Sequence, residues 1–568
     1  MQTLIYFRKR IISIIYIVII CNSLLAGNID LVRAKNGMVV SASQLATKVG
    51  VQILKKGGNA VDAAVAVGFA LAVTYPSAGN LGGGGLMVIH LSDGRNVTID
   101  YREKAPLKSS LMMYKDSIGE LDIKKIQEGI LSVGVPGSVA GLIYALEKYG
   151  TMNLSEVIQP AINLAEDGFP LEYRLAQSIQ STLTVFKKYE SSLKVFSKNG
   201  LPYNEGEIFK QPDLAFTLKE IKNKGREGFY KGKVAELIVK QSEKLGGIIT
   251  LEDLEIYQPV ERAPVTGKYR DYEIISMGPP SAGGIGLIQM LNILENYSFK
   301  EIGWGSSKYY HTIVEAMKFA YADRSYHIGD ADFYQVPVNW LISKNYAKEL
   351  FSRINDRATP SEEIMYGNPK LYLESQETTH YSVYDAKGNA VSVTTTINSA
   401  YGSKIVVEGA GFLLNNEMDD FSIKPGIANQ FGLLGSKANE MLPGKRMLSS
   451  MTPTIILKDG VPYLILGSPG GSTIPTVVLQ VILNCIDFNM DILKAISQPR
   501  IHHQWLPDKI DYEEFGLASD VIENLKSFGH KIGEIKSLGR VEGILIDHSS
   551  KIIYGATDPR GFGLAEGY

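Results

Sequence analysis

A threonine-rich segment, TTHYSVYDAKGNAVSVTTTI from Thr378 to Ile397, holds residues whose types and spacing suit covalent chemistry. It reads as two strands about the turn Asp385-Ala386-Lys387-Gly388-Asn389. A hairpin symmetric about Lys387 sets Thr378 opposite Thr396, with Asn398 two residues further along the same face. A slip of one residue would break that pairing. A threonine hydroxyl attacks only when a base takes its proton, and no Ser-His-Asp arrangement is evident. If the peptide bond before Thr378 were cut, the new α-amine, with a pKa of roughly 7.7 to 8.0, would be such a base within reach of its own hydroxyl. Thr396 could then orient that hydroxyl through a hydrogen bond. The same residues would also make an ordinary edge hairpin whose threonines reflect β propensity alone.

A second segment, TIILKDGVPYLILGSPGGSTIP from Thr454 to Pro475, reads as a strand, a turn at Asp459-Gly460, a strand, and a glycine-rich run into a helix. Backbone N–H groups at such a helix start are free to face a developing negative charge, so Gly470 and Gly471 are candidate oxyanion donors. One such donor is worth about 3 kcal/mol in a transition state. A tight strand-to-helix turn would use the same glycines. Charge completes the set: Arg102 after the strand VTIDY, Glu417, Asp419 and Asp420 in LLNNEMDDFS, and the pair Ser449-Ser450. A guanidinium with two hydroxyls suits a carboxylate and acidic groups suit an ammonium, which together fit the head group of an amino acid. Taken singly, each also suits a solvated surface charge or a cap.

These groups need a scaffold to converge. Apolar spacing predicts a helix from Ser43 to Lys56, ended by Gly57-Gly58-Asn59, and an Ala-rich helix from Ala60 to about Val73 whose apolar surface runs all round and so calls for burial. SAGNLGGGG, Ser77 to Gly85, leads into the strand-like LMVIHL and VTIDYR. The glycine quartet lacks the strand-before, helix-after context of a dinucleotide site and reads as a close-packed turn. The middle third is mainly helical and hairpins follow Thr378, with the polar junction Glu374-Ser375-Gln376-Glu377 between them, so the class is mixed α and β. No GxxxxGKS/T, GxSxG or HExxH occurs, which removes the simplest NTPase, α/β-hydrolase and zincin readings. His502 and His503 are adjacent, do not converge on one metal, and read as packing or hydrogen-bonding groups.

The 568 residues carry 58 Lys+Arg against 60 Asp+Glu, a net charge of −2, with 45% hydrophobic and 21% charged residues. That is a soluble globular mixture, with no concentrated basic surface to argue for nucleic acid. The length admits three or four domains or one large enzyme unit. Two cysteines cannot build a disulfide scaffold or a Cys-rich metal site. Arg8, Lys9 and Arg10, an apolar run from Ile11 to Cys21 and small residues around Ala26 read as a secretory signal, the run being short for a span of about 20 residues. An uncleaved N-terminal anchor is the alternative. Cleavage near Ala26 removes those three basic residues, takes the charge from −2 to −5 and leaves one cysteine, Cys485, whose apolar setting suits a buried packing thiol.

GGNAVDAAVAVGFALAVTYPSAGNLGGGG, DYREKAP, VGVPGSVAGL, ADRSYHIGD, TTHYSV, LLNNEMDDFS, LSSMTPTI, GSPGGST, PRIHHQW and GATDPR follow one another over essentially the whole mature sequence. With them the chain resembles the γ-glutamyltransferases (γ-glutamyl transpeptidases) of the N-terminal nucleophile hydrolase superfamily. The resemblance implies an α+β fold, a four-layer αββα sandwich, in a proenzyme that cuts itself. One precursor then yields a large subunit, 27–377, and a small one, 378–568, after a signal peptide, 1–26. It implies Thr378 as nucleophile and new N-terminus, supported by Thr396, with Gly470 and Gly471 as oxyanion hole. Arg102, Ser449 and Ser450 would hold the α-carboxylate of the substrate, and Asn398, Glu417 and Asp420 its α-amino group. Glutathione and other γ-glutamyl compounds would be donors, water or an amino acid or peptide the acceptor, with no metal or organic cofactor and with export to the periplasm or beyond. Lys424 to Arg446 looks like the lid loop of bacterial members, with Phe431 where such lids often present Tyr; a plain surface loop is the alternative. A cephalosporin or glutaryl acylase shares the fold and nucleophile but has no use for Asp420. From another class, an exported binding protein for γ-glutamyl peptides could use the same pocket without cleaving itself.

Overall fold

The structure, a computed structural model, describes residues 31–364, 378–423, 429–430 and 433–568. The expected signal 1–26, the junction Glu374 to Glu377 and Phe431 lie outside the described residues.

Two seven-stranded sheets, antiparallel throughout, face each other. One runs Leu564–Gly567, Met38–Ser41, Thr379–Tyr384, Ala390–Thr396, Gly84–His90, Asn96–Asp100, Val260–Arg262. The other runs Val32–Ala34, Ile552–Thr557, Glu542–Asp547, Val461–Leu466, Thr454–Lys458, Tyr272–Ser276, Val265–Tyr269. Met38, Val40, Val88, Ile275, Ile455, Ile465, Ile544 and Ile553 fill the space between them. Helices Gln44–Lys55, Ala60–Thr74, Ser138–Tyr149 and Leu154–Asp167 cover the first sheet, and helices Gly283–Leu294, Ser307–His327 and Ile474–Ile486 the second. The result is the expected αββα sandwich, with each sheet buried on both faces.

The Ala-rich helix spans Ala60–Thr74, one residue beyond the expected end, and every residue in it is buried, which is why its apolar surface runs all round. Asn59 caps it, with Asp62 completing a capping box. Its Ala60 N–H also donates to Asp385 in the threonine hairpin's turn at 2.8 Å, which ties that hairpin to the helix layer. The hairpin pairs Thr379 with Thr395 and Ser382 with Ser392, the register that symmetry about Lys387 predicts. Side chains alternate across it. Tyr381, Val383, Val391 and Val393 face the helices, while Ser382 and Ser392 donate across the sandwich to the carbonyls of Glu542 and Leu466. Thr378 and Thr396, in phase with this second row, therefore fall at the end of the face between the sheets.

Candidate active site

Thr378 precedes the first residue of its strand and Thr396 is the last residue of the neighbouring one; both are buried and line one pocket. The end of the Thr396 strand is held by Asn80, whose amide donates to the Thr396 carbonyl at 2.9 Å while its oxygen accepts from Gly83 N–H and Ser138. The glycine quartet allows this approach: a Cβ on Gly83 would collide with the Thr396 carbonyl oxygen. Asn398 also lines the pocket, but not as a continuation of the strand. The chain turns at Asn398 through a left-handed φ of 73°, a conformation asparagine tolerates better than most residues. Its N–H donates to the Thr396 hydroxyl at 2.8 Å and its amide to the Asn416 carbonyl at 2.9 Å.

Arg102, two residues past the strand Asn96–Asp100, is buried and reaches three carboxylates: Glu417 at 2.7 Å, Glu103 at 3.4 Å, and Asp420. It also donates to the Met447 and Leu448 carbonyls. Glu417 and Asp420 bound a short helical turn, Glu417–Asp420, anchored by Asn415, which accepts from Glu417 N–H and donates to the Gly82 carbonyl beside the glycine turn. Neither oxygen of Glu417 makes a hydrogen bond among the described residues, although the carboxylate is buried and ion-paired. Burial pushes the Glu417, Glu103 and Asp420 carboxyls above their usual range, and Arg102 opposes the rise.

The opposite wall comes from the other sheet. After the strand Val461–Leu466 the chain turns at Gly470 and Gly471, with φ of 132° and 53°, and enters the helix Ile474–Ile486. Thr473 closes the turn by donating through its N–H and hydroxyl to the Gly470 carbonyl. Among the described residues neither glycine N–H finds a partner. Gly471 lines the pocket; Gly470 stands next to it in the turn. Ser449 and Ser450 lie on a loop locked to the segment before helix Gly283–Leu294, through Ser449 N–H to the Pro280 carbonyl and Ala282 N–H to the Ser449 carbonyl, both at 2.9 Å. Nine of the ten expected residues thus line one pocket and the tenth adjoins it.

The Gamma-glutamyltranspeptidase family model matches residues 46–568. The chain belongs to the gamma-glutamyltranspeptidase family. It is similar to the Glutathione hydrolase proenzyme of Escherichia coli strain K12, 49% identical over 531 residues that cover 93% of this chain and 91% of the relative. The solved Helicobacter pylori gamma-glutamyltranspeptidase is 50% identical with a TM-score of 0.57, covering 61% of this chain and 98% of that one. A cephalosporin acylase from Bacillus halodurans, 27% identical, superposes with a TM-score of 0.84 over 95% of this chain and 97% of that one.

In this gamma-glutamyltranspeptidase family member the pocket also contains Arg324, Leu433, Leu448, Met451 and Ile474, which the sequence reading did not single out. Arg324 stood within the ADRSYHIGD match, so its place in a shared motif was the available signal. Of the expected lid, Asn429 donates to Asp420 at 2.9 Å and Leu433 lines the pocket, while Lys437, Leu442 and Pro443 are exposed. His502 bonds Thr476 and Gln504, and His503 bonds Asp508, the hydrogen-bonding role expected of that pair. Cys485 is buried, and burial pushes its thiol up, away from nucleophilic use.

His380, one turn of the pleat from Thr378, lies between the sheets against Gly467, with its ring nitrogens on Thr394 at 2.9 Å and Ser382 at 3.1 Å. Burial pushes its pKa down to about 3. In the unfolded chain the ring protonates near pH 6.5, while in the fold it stays neutral, so stability present at pH 7 is lost as pH falls from about 6.5 toward 3. This one group contributes a loss of roughly 1.4 kcal/mol per pH unit in that window. Denaturant titrations at pH 7 and pH 5 are expected to show the decline, and His380→Gln is expected to make it shallower by about one proton.

Proposed function

We propose that the protein is an autoprocessed γ-glutamyltransferase that cleaves the γ-glutamyl amide of glutathione and related compounds and passes the glutamyl group to water or to an amino-acid or peptide acceptor. The observation that carries this reading is one pocket in which Thr378 and Thr396 from one sheet meet the Gly470-Gly471 turn from the other, beside the cluster of Arg102, Glu417 and Asp420. Cleavage before Thr378 would divide the mature chain into 27–377 and 378–568 and free an α-amine at the nucleophile. That amine takes the Thr378 hydroxyl proton as the oxygen attacks the γ-carbonyl carbon, and Thr396 orients the hydroxyl. The carbonyl oxygen, now negative, is held by the Gly470 and Gly471 N–H groups. Collapse breaks the C–N bond, the α-ammonium returns the proton to the leaving amine, and an ester on Thr378 remains. Water or an acceptor amine repeats the sequence on that ester. Asn398, Glu417 and Asp420 hold the substrate ammonium, and Arg102, Ser449 and Ser450 its α-carboxylate. The basic-then-apolar N-terminus supports export, to the periplasm in a bacterium with two membranes; among the described residues no helix is long and apolar enough to cross a membrane.

The likeness to a cephalosporin acylase makes acylase activity the rival. The two differ at the amine: an acyl group without one gains nothing from Asp420. Purified protein is expected to run as two fragments, the smaller beginning at Thr378, and to release p-nitroaniline from a γ-glutamyl anilide at least about 100-fold better in kcat/KM than from the glutaryl analogue, the scale of one buried charge contact. Equal rates, or preference for the glutaryl compound, would establish the acylase instead. A single uncut chain inactive on both would leave the binding protein.

A further inference from the structure

Outside that pocket, helix Ser307–His327 turns His311 and Glu315, one helical turn apart on the same face, toward His530. His530 follows helix Ser519–Phe528, which ends at Gly529 with a φ of 102° and is closed by the His530 N–H on the Leu525 carbonyl at 3.0 Å. All three residues are buried, and one ligating atom from each lies within 4.8 Å of the others. His311 Nδ1 and His530 Nε2 face each other at 2.8 Å, while His311 Nε2 meets the Asn355 carbonyl at 2.7 Å. A carbonyl only accepts, so His311 Nε2 carries the proton, and in the neutral ring Nδ1 keeps a lone pair aimed at His530. Metal-binding histidines are oriented in this way: the far nitrogen donates to a carbonyl and fixes the tautomer that frees the near one. Glu315 accepts from Lys318 at 3.0 Å on one oxygen and from Thr359 N–H at 3.2 Å on the other, which leaves each oxygen a further lone pair. The Lys318 charge is shared between Glu315 and Asp508, the latter at 3.8 Å and also facing His503 at 3.3 Å and the exposed Lys531 at 3.5 Å.

We propose that His311, Glu315 and His530 bind one divalent transition-metal ion of the zinc class. Two imidazoles and a carboxylate are ligands that suit Zn²⁺, with water in the fourth position. Tetrahedral binding asks the two facing nitrogens to part from 2.8 Å to about 3.3 Å, a small rotation of the rings. It also asks the His530 proton to move from Nε2 to Nδ1, which leaves that ring neutral. Lys308, His311, Thr312, Asn355, Asp356 and Phe528 line a surface pocket that supplies an entry path. None of the three ligands lines the pocket around Thr378, so the ion is not placed to act in amide cleavage. Its role is that of a clamp on two helices and the segment from Asn355 to Thr359, which Ala358 N–H already ties to the Phe528 carbonyl at 2.8 Å. The site stands whether or not the chain is cut. With the proposed cut before Thr378, His311 and Glu315 fall in the large subunit and His530 in the small one, and the ion bridges them.

The test is a calorimetric titration of chelator-stripped protein with ZnCl₂. One zinc per chain is expected, with Kd on the order of 1 μM or tighter. Zinc at a hundredfold excess over Kd should raise Tm by about 3 °C. His530→Gln keeps an amide N–H for His311 Nδ1 but removes the ligating nitrogen. It is expected to weaken zinc binding at least about 100-fold and to abolish the Tm shift, while turnover of γ-glutamyl anilide stays within about twofold of wild type. Glu315→Gln should show the same loss of zinc and serves where His530→Gln does not fold. A wild type that binds no zinc at about 100 μM overturns the proposal, as does either variant binding zinc as tightly as wild type. A wild type that binds zinc but does not turn over the anilide would remove the proposed function and leave this site standing.

Discussion

Thr378→Ala is expected to yield one uncut chain with kcat for γ-glutamyl anilide reduced on the order of 10⁶-fold, the scale reached when a hydrolase loses its nucleophile. Two events depend on the same oxygen. In the proposed mechanism attack on the preceding carbonyl creates the new N-terminus, and only then would the α-amine exist to serve as base, so the variant would lack both. Serine keeps the hydroxyl, and Thr378→Ser is expected to cut itself and to retain measurable turnover. The gel and the N-terminal sequence of the smaller fragment read the first event, and p-nitroaniline release the second. An Ala variant that still splits before residue 378 would place the nucleophile elsewhere. The geometry already constrains where: Thr396 is the neighbouring hydroxyl on that pocket wall, but it is the last residue of a strand whose pairing with Gly84–His90 extends to Thr396 itself, so it has no cut end to supply an amine.

Asp420→Asn is expected to raise KM for the γ-glutamyl substrate by 30- to 1000-fold, about 2 to 4 kcal/mol, with kcat changed less than tenfold. Its carboxylate is paired with Arg102 on one oxygen and accepts from Asn429 on the other, in a pocket where burial removes competing water. Asparagine preserves the shape but not the charge, so in the proposed site the ammonium would lose a counter-ion that solvent does not replace. The preference for γ-glutamyl over glutaryl anilide should shrink in parallel, because the glutaryl group never used that contact. Burial also pushes the Asp420 carboxyl up, so protonation begins at higher pH than for an ordinary aspartate near 4. KM for the γ-glutamyl compound is accordingly expected to climb as pH falls into the acid range, and the glutaryl KM to change less. An Asn variant with wild-type KM would refute the ammonium role.

The hairpin register that pairs Thr379 with Thr395 and so brings Thr378 toward Thr396 was legible in the chain because a strand has a period of two and a short turn sets its register. The buried helix Ala60–Thr74 was legible from composition, since a helix apolar on every side has nowhere to go but inside. Asn398 was found for an incomplete reason: strand phase suggested the right face, whereas a left-handed turn brings the residue there. Arg102 was expected to present its charge to a carboxylate, and the fold surrounds it with three acids. Arg324 could not be weighed at all from spacing, because its environment comes from Ser450 and Leu434, each more than a hundred residues away in the chain.

By itself the sequence determined the local conformations, the inventory of reactive and charged groups, and a resemblance specific enough to name a family. These rest on short-range rules: side-chain alternation, helix periodicity, turn chemistry and ordered motifs. Only the tertiary structure decided which charges meet and neutralise one another. Ion pairing and desolvation fall off within a few ångströms through space, and in a four-layer sandwich the groups that close depend on how the two sheets and their helix layers stack.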